Sequence, residues 1–138
     1  MGEIERAQTD VEKILKIDST YTNALVNLAF CFLQKNEYQK SEQLYQKLIS
    51  ANNLNPYVLS NYGYLKHMLG KSSDGINLIK KSLIILPKNA YAYMYLSRIY
   101  ISLNKLDKAC EATIIGLRLN FTRDFGDELE LTKKKYCN

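Results

Sequence analysis

The chain has 138 residues, enough for one domain with a sizeable buried core. Nineteen Lys and Arg against fourteen Asp and Glu leave a formal charge of +5, modest for this length, and no motif that reads RNA or DNA accompanies the lysines. No apolar run reaches the roughly eighteen residues that a membrane-crossing helix requires.

Met1 is followed by charged residues, so no secretory signal is visible, and Arg6 stands where a myristoylation motif after Gly2 wants Ser or Thr. Residues 4–17 read as a first helix, with Ile4, Ala7, Val11, Ile14 and Leu15 along one side. Thr20 or Thr22 is placed to cap the next helix, which runs to about Lys35; its mate runs from about Tyr38 to Ala51. The polar loop Asn52–Asn55 leads into Pro56 at a first helical position, where a missing amide hydrogen costs nothing. In the central stretch, Leu59, Tyr62 and Leu65 share one helix face, and Ile76, Ile79, Leu83 and Leu86 share another. Gly70 separates the two sets and suits the left-handed residue that ends a helix. Ser72 or Ser73 can cap the second helix, Asp74 favours its first turn, and Pro87 stops it. Asn89 is placed to cap Ala90–Leu103, and Leu106–Leu119 completes a third pair. Beyond Asn120, acids at Asp124, Asp127, Glu128 and Glu130 precede Lys133, Lys134 and Lys135, an order that complements a helix dipole. With Phe125 and Leu129 as its apolar side, 124–136 reads as a helix covering the end of the stack.

A shift of 34 residues returns the central pattern in both directions. Leu59 lands on Leu25 and Tyr93, and Tyr62 on Leu28 and Leu96. The small residue Gly63 lands on Ala29 and Ser97, and Gly75 on Ser41 and Ala109. Gly70 lands on Asn36 and Asn104, and asparagine is the next-best residue for a left-handed helix end. The internal repeat therefore covers 22–55, 56–89 and 90–123. In this register 4–17 is the second helix of a partial repeat, either the natural end of the array or a cut through a longer one.

Period and pattern resemble the tetratricopeptide repeat (TPR) family. The positions that carry the likeness are Leu59, Tyr62, Gly63, Gly70, Gly75 and Pro87, with Leu25, Leu28, Ala29, Phe32, Tyr38, Ser41 and Tyr45 before them. Tyr93, Leu96, Ser97, Tyr100, Ala109 and Gly116 follow. Lys66 departs from the aromatic supplied by Phe32 and Tyr100, Leu48 replaces a small residue, and no tryptophan opens a repeat. The resemblance implies an all-α, right-handed superhelical solenoid of antiparallel helix pairs, about eight helices, as a single domain over 1–138. It further implies that the first helices of the pairs line a concave groove, and no cofactor or metal.

On that inner face the candidate ligand-binding residues are Asn23, Asn27, Phe30, Tyr57, Asn61, Tyr64, His67, Met68, Tyr91, Met94, Tyr95 and Arg98, while Val26, Leu33 and Ile101 are assigned to packing between repeats. Only Arg98 carries a full charge, and aromatics, Met and Arg are the residue types enriched at interfaces. Asn27 and Asn61 stand at the same repeat position, and a stacked pair of amides can donate to and accept from the backbone of an extended ligand. The family's carboxylate clamp for acidic chaperone tails is absent: Val26, Phe30, Tyr91 and Tyr95 occupy its charged and amide positions, and only Asn61 matches. The lysines of the middle repeats, against Asp74 and Asp107 alone, point to an acidic protein partner rather than nucleic acid or membrane.

Cys31, Cys110 and Cys137 lack a CxxC spacing, and His67, alone, assembles no catalytic set. Cys31 is expected to be buried. Cys110 and Cys137 come within reach of each other if the last helix folds back on the last pair; a disulfide there would imply an oxidising compartment, and the sequence leaves open whether they are bonded. The expected role is non-enzymatic: an adaptor that binds a peptide or protein in its groove. A dedicated chaperone or toxin-immunity protein of a small bacterial system, or a self-associating structural fragment, are the alternatives. The chain is expected to be cytoplasmic, or periplasmic if a signal has been removed, and a monomer or weak homodimer.

Overall fold

The computed structural model describes residues 2–17, 22–52, 54–119 and 127–137. These form eight helices and no strand: α1 (Gly2–Ile17), α2 (Thr22–Gln34), α3 (Tyr38–Ser50), α4 (Pro56–Met68), α5 (Ser72–Ile85), α6 (Ala90–Ser102), α7 (Leu106–Arg118) and α8 (Glu128–Tyr136). Thr20, Asn53, Asn120, Asp124 and Phe125 lie outside the described residues. So do the side chains of Ala7, Val11, Ile14 and Leu15 on α1.

The turn inside each pair is built the same way three times. Asn36, Gly70 and Asn104 take φ of 61°, 83° and 56°, the left-handed conformation that ends a helix. The next amide then reaches back to the last turn: Glu37 N to Phe32 O at 2.9 Å, Lys71 N to Lys66 O and Lys105 N to Tyr100 O, both at 2.8 Å. Asn52 (φ 58°) ends α3 likewise. Neither serine caps α5, whose N-cap is Lys71 with no side-chain bond. Ser72 is instead drawn to His67 Nδ1 at 2.7 Å.

Helices of a pair pack antiparallel, and each first helix also meets the pair before it; α1 packs on α2, and α8 on α7. Two large apolar clusters fill the stack, with a smaller third at Ala24, Leu28 and Phe32. One joins Leu25, Leu33, Tyr45, Val58, Tyr62 and Leu65, the other Ile79, Met94, Tyr95, Ile99, Ala112 and Leu129. Small residues let backbones approach: Ser41 Oγ donates to Ala29 O at 2.8 Å, and Ser97 Oγ lies 2.8 Å from Thr113 Oγ1. Asn89 does not cap α6. Its amide turns inward, to Ser82 Oγ at 2.8 Å and Ser60 Oγ at 3.2 Å, while Ser82 donates to Pro56 O at 2.7 Å. Asn89 Oδ1, the atom a cap would use, is buried with no hydrogen-bond partner among the described residues. Lys66, the odd residue of its repeat position, lies over Tyr62 (5.0 Å) and pairs with Glu42 of α3 at 3.0 Å.

Candidate functional site

The first helices α2, α4 and α6 stand side by side, with α4 touching both neighbours. In front of them is a cleft of about 400 Å³ lined by Val26, Asn27, Phe30, Asn55, Tyr57, Asn61 and Tyr91. No Asp, Glu, Lys, Arg or His is among these residues. Pro56 starts α4 and the Asn55 side chain accepts from Tyr57 N at 2.8 Å, which fixes how Tyr57 leaves the turn. Tyr57 then meets Tyr91 edge to face, with centroids 6.0 Å apart.

The twelve candidate residues divide by position. Asn23, Asn27, Tyr57 and Met68 are exposed; Phe30, Tyr64, His67, Tyr91 and Arg98 are half-buried. Asn61, Met94 and Tyr95 are 7%, 1% and 1% exposed. For Met94 and Tyr95 this is a correction: they belong to the core between α4, α6 and α8. Tyr95 stacks on Tyr64 (centroids 4.6 Å, planes 12° apart) and donates to Asn61 Oδ1 at 2.8 Å. That bond also corrects the idea of two equivalent asparagines, since the Asn61 carbonyl is engaged and Asn27 alone presents its amide at the surface. Val26, assigned to packing between repeats, lines the cleft, as does Asn55, which the inner-face pattern misses because it precedes the helix. Its signal is the Asn-Pro pair at a helix start.

Arg98 is not a bare cation. Its guanidinium lies 5.4 Å from the Tyr64 ring centre and 5.9 Å from that of Tyr95. It grips Glu128 of α8 with two bonds, Nε to Oε1 at 2.5 Å and Nη2 to Oε2 at 2.6 Å. Burial opposes its charge, but the Glu128 carboxylate outweighs this and holds the proton more firmly than usual. Burial also drives the Tyr45 and Tyr95 hydroxyls far above the ordinary tyrosine range. The inner wall is therefore open at α2, at α4 and at Tyr91 of α6, and α8 reaches it through Glu128 at Arg98.

At the far edge, burial lowers the affinity of His67 for its proton. The folded state thus prefers neutral imidazole. Stability from this group is complete above the unfolded value near 6.5 and is lost as pH falls through it. Denaturant midpoints between pH 7.5 and 5 are expected to decline less steeply in His67→Gln than in wild type. Equal slopes would remove His67 as the cause.

Cys110 and Cys137, whose bonding the sequence leaves open, form a disulfide, with Cα atoms 5.4 Å apart. Cys31 is buried and free. Among the described residues no group of His, Cys, Asp and Glu is arranged to hold a metal, and no helix is long and apolar enough to cross a membrane.

Paired helices in 34-residue register, with first helices forming an aromatic wall, define an all-α solenoid of helical repeats. Residues 1–60 match the family model described as Tetratricopeptide repeat, and the likeness of fold extends over nearly the whole chain. The structure is similar to PilF of Pseudomonas aeruginosa, with TM-score 0.73, 22% identity and coverage of 95% of this chain and 59% of that one. It is also similar to the TPR domain of Sgt2 from Aspergillus fumigatus, with TM-score 0.69, 22% identity and coverage of 84% and 79%. A third is the first TPR of Spaghetti (RPAP3) bound to the HSP90 peptide SRMEEVD, with TM-score 0.68, 18% identity and coverage of 88% and 97%. At these identities the likeness is one of fold. No curated protein matches the sequence.

Proposed function

We propose that the chain is a non-catalytic protein-interaction module that takes an extended segment of a protein partner into the cleft of α2, α4 and α6. The observation that carries this reading is the cleft itself: about 400 Å³, lined by no Asp, Glu, Lys, Arg or His, with Tyr57 44% exposed. Aromatic side chains give large contact area at small entropic cost, and Asn27 adds an amide able to meet a peptide backbone. The peptide held by the first TPR of Spaghetti, on the same fold, supports it. The Cys110–Cys137 bridge supports an oxidising compartment over a reducing cytoplasm. The test is selection from a random peptide display library, followed by titration of the selected peptides. The double variant Tyr57→Ala with Tyr91→Ala is expected to lose at least about thirtyfold in affinity, on the scale of interface hot spots. Both rings are partly exposed, so its melting temperature should change little by comparison. Undiminished binding by the double variant would overturn the reading.

A further inference from the structure

The helices of the inner wall contain no acid. The sequences TNALVNLAFCFLQ, PYVLSNYGYLKHM and AYAYMYLSRIYIS carry neither Asp nor Glu. Of their cations, Lys66 is turned away to Glu42 on α3. The carboxylate that does reach this wall comes from outside the repeats, as Glu128 on α8.

We propose that Arg98, seated on Tyr64 and Tyr95, is a carboxylate-binding point for an acidic side chain of the partner, and that Glu128 fills it in the free protein as a built-in competitor. This rests on the reading of the inner wall as a peptide groove, and names the chemistry of what that groove receives: an extended segment carrying Asp or Glu.

Three features support it. The two rings beside Arg98 hold the guanidinium fork in place, and Glu128 already shows how a carboxylate docks on it. Both side chains are about one third exposed (33% and 34%), so a carboxylate from solvent has access to the pair. The exchange replaces one carboxylate by another and leaves no charge unmatched. Secondly, the point is continuous with the cleft. Ring contacts run from Tyr57 to Tyr91 at 6.0 Å, from Tyr91 to Tyr95 at 6.5 Å and from Tyr95 to Tyr64 at 4.6 Å. Tyr95 lies buried beneath this row, so a peptide extended over the accessible faces of Tyr57, Tyr91 and Tyr64, at about 3.3 Å per residue, reaches Arg98 a few residues beyond the cleft. Thirdly, α8 is held by more than the ion pair. Leu129, the residue after Glu128, is buried in the core, and the far end of the helix is fixed covalently through Cys137 to Cys110 on α7. Displacing the Glu128 side chain from Arg98 therefore leaves the helix and the repeats in place.

The experiment titrates fluorescein-labelled (Glu-Ala)5 and (Gln-Ala)5 peptides into wild type, Glu128→Gln and Arg98→Gln, by fluorescence anisotropy at low and high salt. Removing the competitor is expected to tighten (Glu-Ala)5 binding about fivefold, the scale of one partly exposed ion pair. The gain should fade at high salt. Arg98→Gln should bind (Glu-Ala)5 more weakly than wild type, and neither substitution should alter (Gln-Ala)5. A helix brace with no role in binding predicts the opposite for Glu128→Gln: lower stability and no gain in affinity. Equal or weaker (Glu-Ala)5 binding by Glu128→Gln, or unchanged binding by Arg98→Gln, overturns the proposal. If (Gln-Ala)5 binds all three proteins as well as (Glu-Ala)5, the groove stands and the Arg98 assignment falls. If neither peptide binds any of them, the assignment falls too, and the groove is judged on the display-selected peptides and the Tyr57 and Tyr91 variants.

Discussion

Gly75→Ala is expected to destabilise the fold by about 3 kcal/mol, near the upper end of what overpacking a core costs. Gly75 on α5 faces Gly63 on α4, and a Cβ at Gly75 would run into the backbone oxygen of Gly63. Backbone offers no flexible end to move aside, so α4 and α5 would have to separate. That pair makes the most extensive helix–helix contact in the protein, and its separation would loosen both large apolar clusters through Tyr64, which packs against each. Alanine is the better helix former by roughly 1 kcal/mol, so the clash must exceed the figure observed. At Gly63 an added Cβ meets Gly75 O and Ile79 Cγ1, both at 2.6 Å, and the Ile79 end can partly rotate away. Gly63→Ala should therefore cost somewhat less. Gly2→Ala, with open space around it, serves as the control and should leave the midpoint in place. Denaturant unfolding of the three variants checks the order, and equal midpoints for Gly75→Ala and wild type would mean that the helices are not pressed together there.

The same contact shows why the repeat could be read from residues alone. Helix stops, small residues and large residues each answer a separate steric demand, and their return in register at Asn36, Gly70 and Asn104 leaves few folds open. The inner wall was less legible. Tyr91 and Tyr95 lie one turn apart on the same side of α6, so periodicity treats them alike. Tyr95 is nonetheless sealed because Asn61 takes its hydroxyl while Tyr64 and Arg98 cover its ring. That cover depends on α8, whose sequence is out of register and gives no hint of where it docks. Asn89 and Ser72 illustrate another limit. Both look like caps by residue type, but each found a stronger partner elsewhere, Asn89 in Ser82 and Ser60, Ser72 in His67.

Reduction of the Cys110–Cys137 bridge, or Cys137→Ser, is expected to lower stability by about 3–4 kcal/mol. The bond spans a separation of 27 residues, and closing a loop of that size removes about this much conformational freedom from the unfolded chain. The loss should begin at α8. Its attachment otherwise consists of the Arg98–Glu128 pair and of Leu129, 2% exposed, whose Cδ1 would lie 2.8 Å from a Cβ added at Gly116. One buried leucine contributes roughly 1.5–3 kcal/mol, and a partly exposed ion pair no more than about 1. A nine-residue helix does not persist in water by itself, so those contacts must also offset the entropy of ordering it. Hydrogen exchange with and without a dithiol reductant should therefore show the amides of 128–136 losing protection before those of α7, with the denaturation midpoint falling in parallel. Cys31 provides an internal reference. It is 5% exposed and burial pushes its thiol above the usual range, so it should stay unlabelled by maleimide in the folded protein, oxidised or reduced. Two thiols that become reactive only after reduction, at 110 and 137, fit a bridge that clamps the last helix. An unchanged midpoint together with unchanged protection of α8 would mean that packing alone holds it.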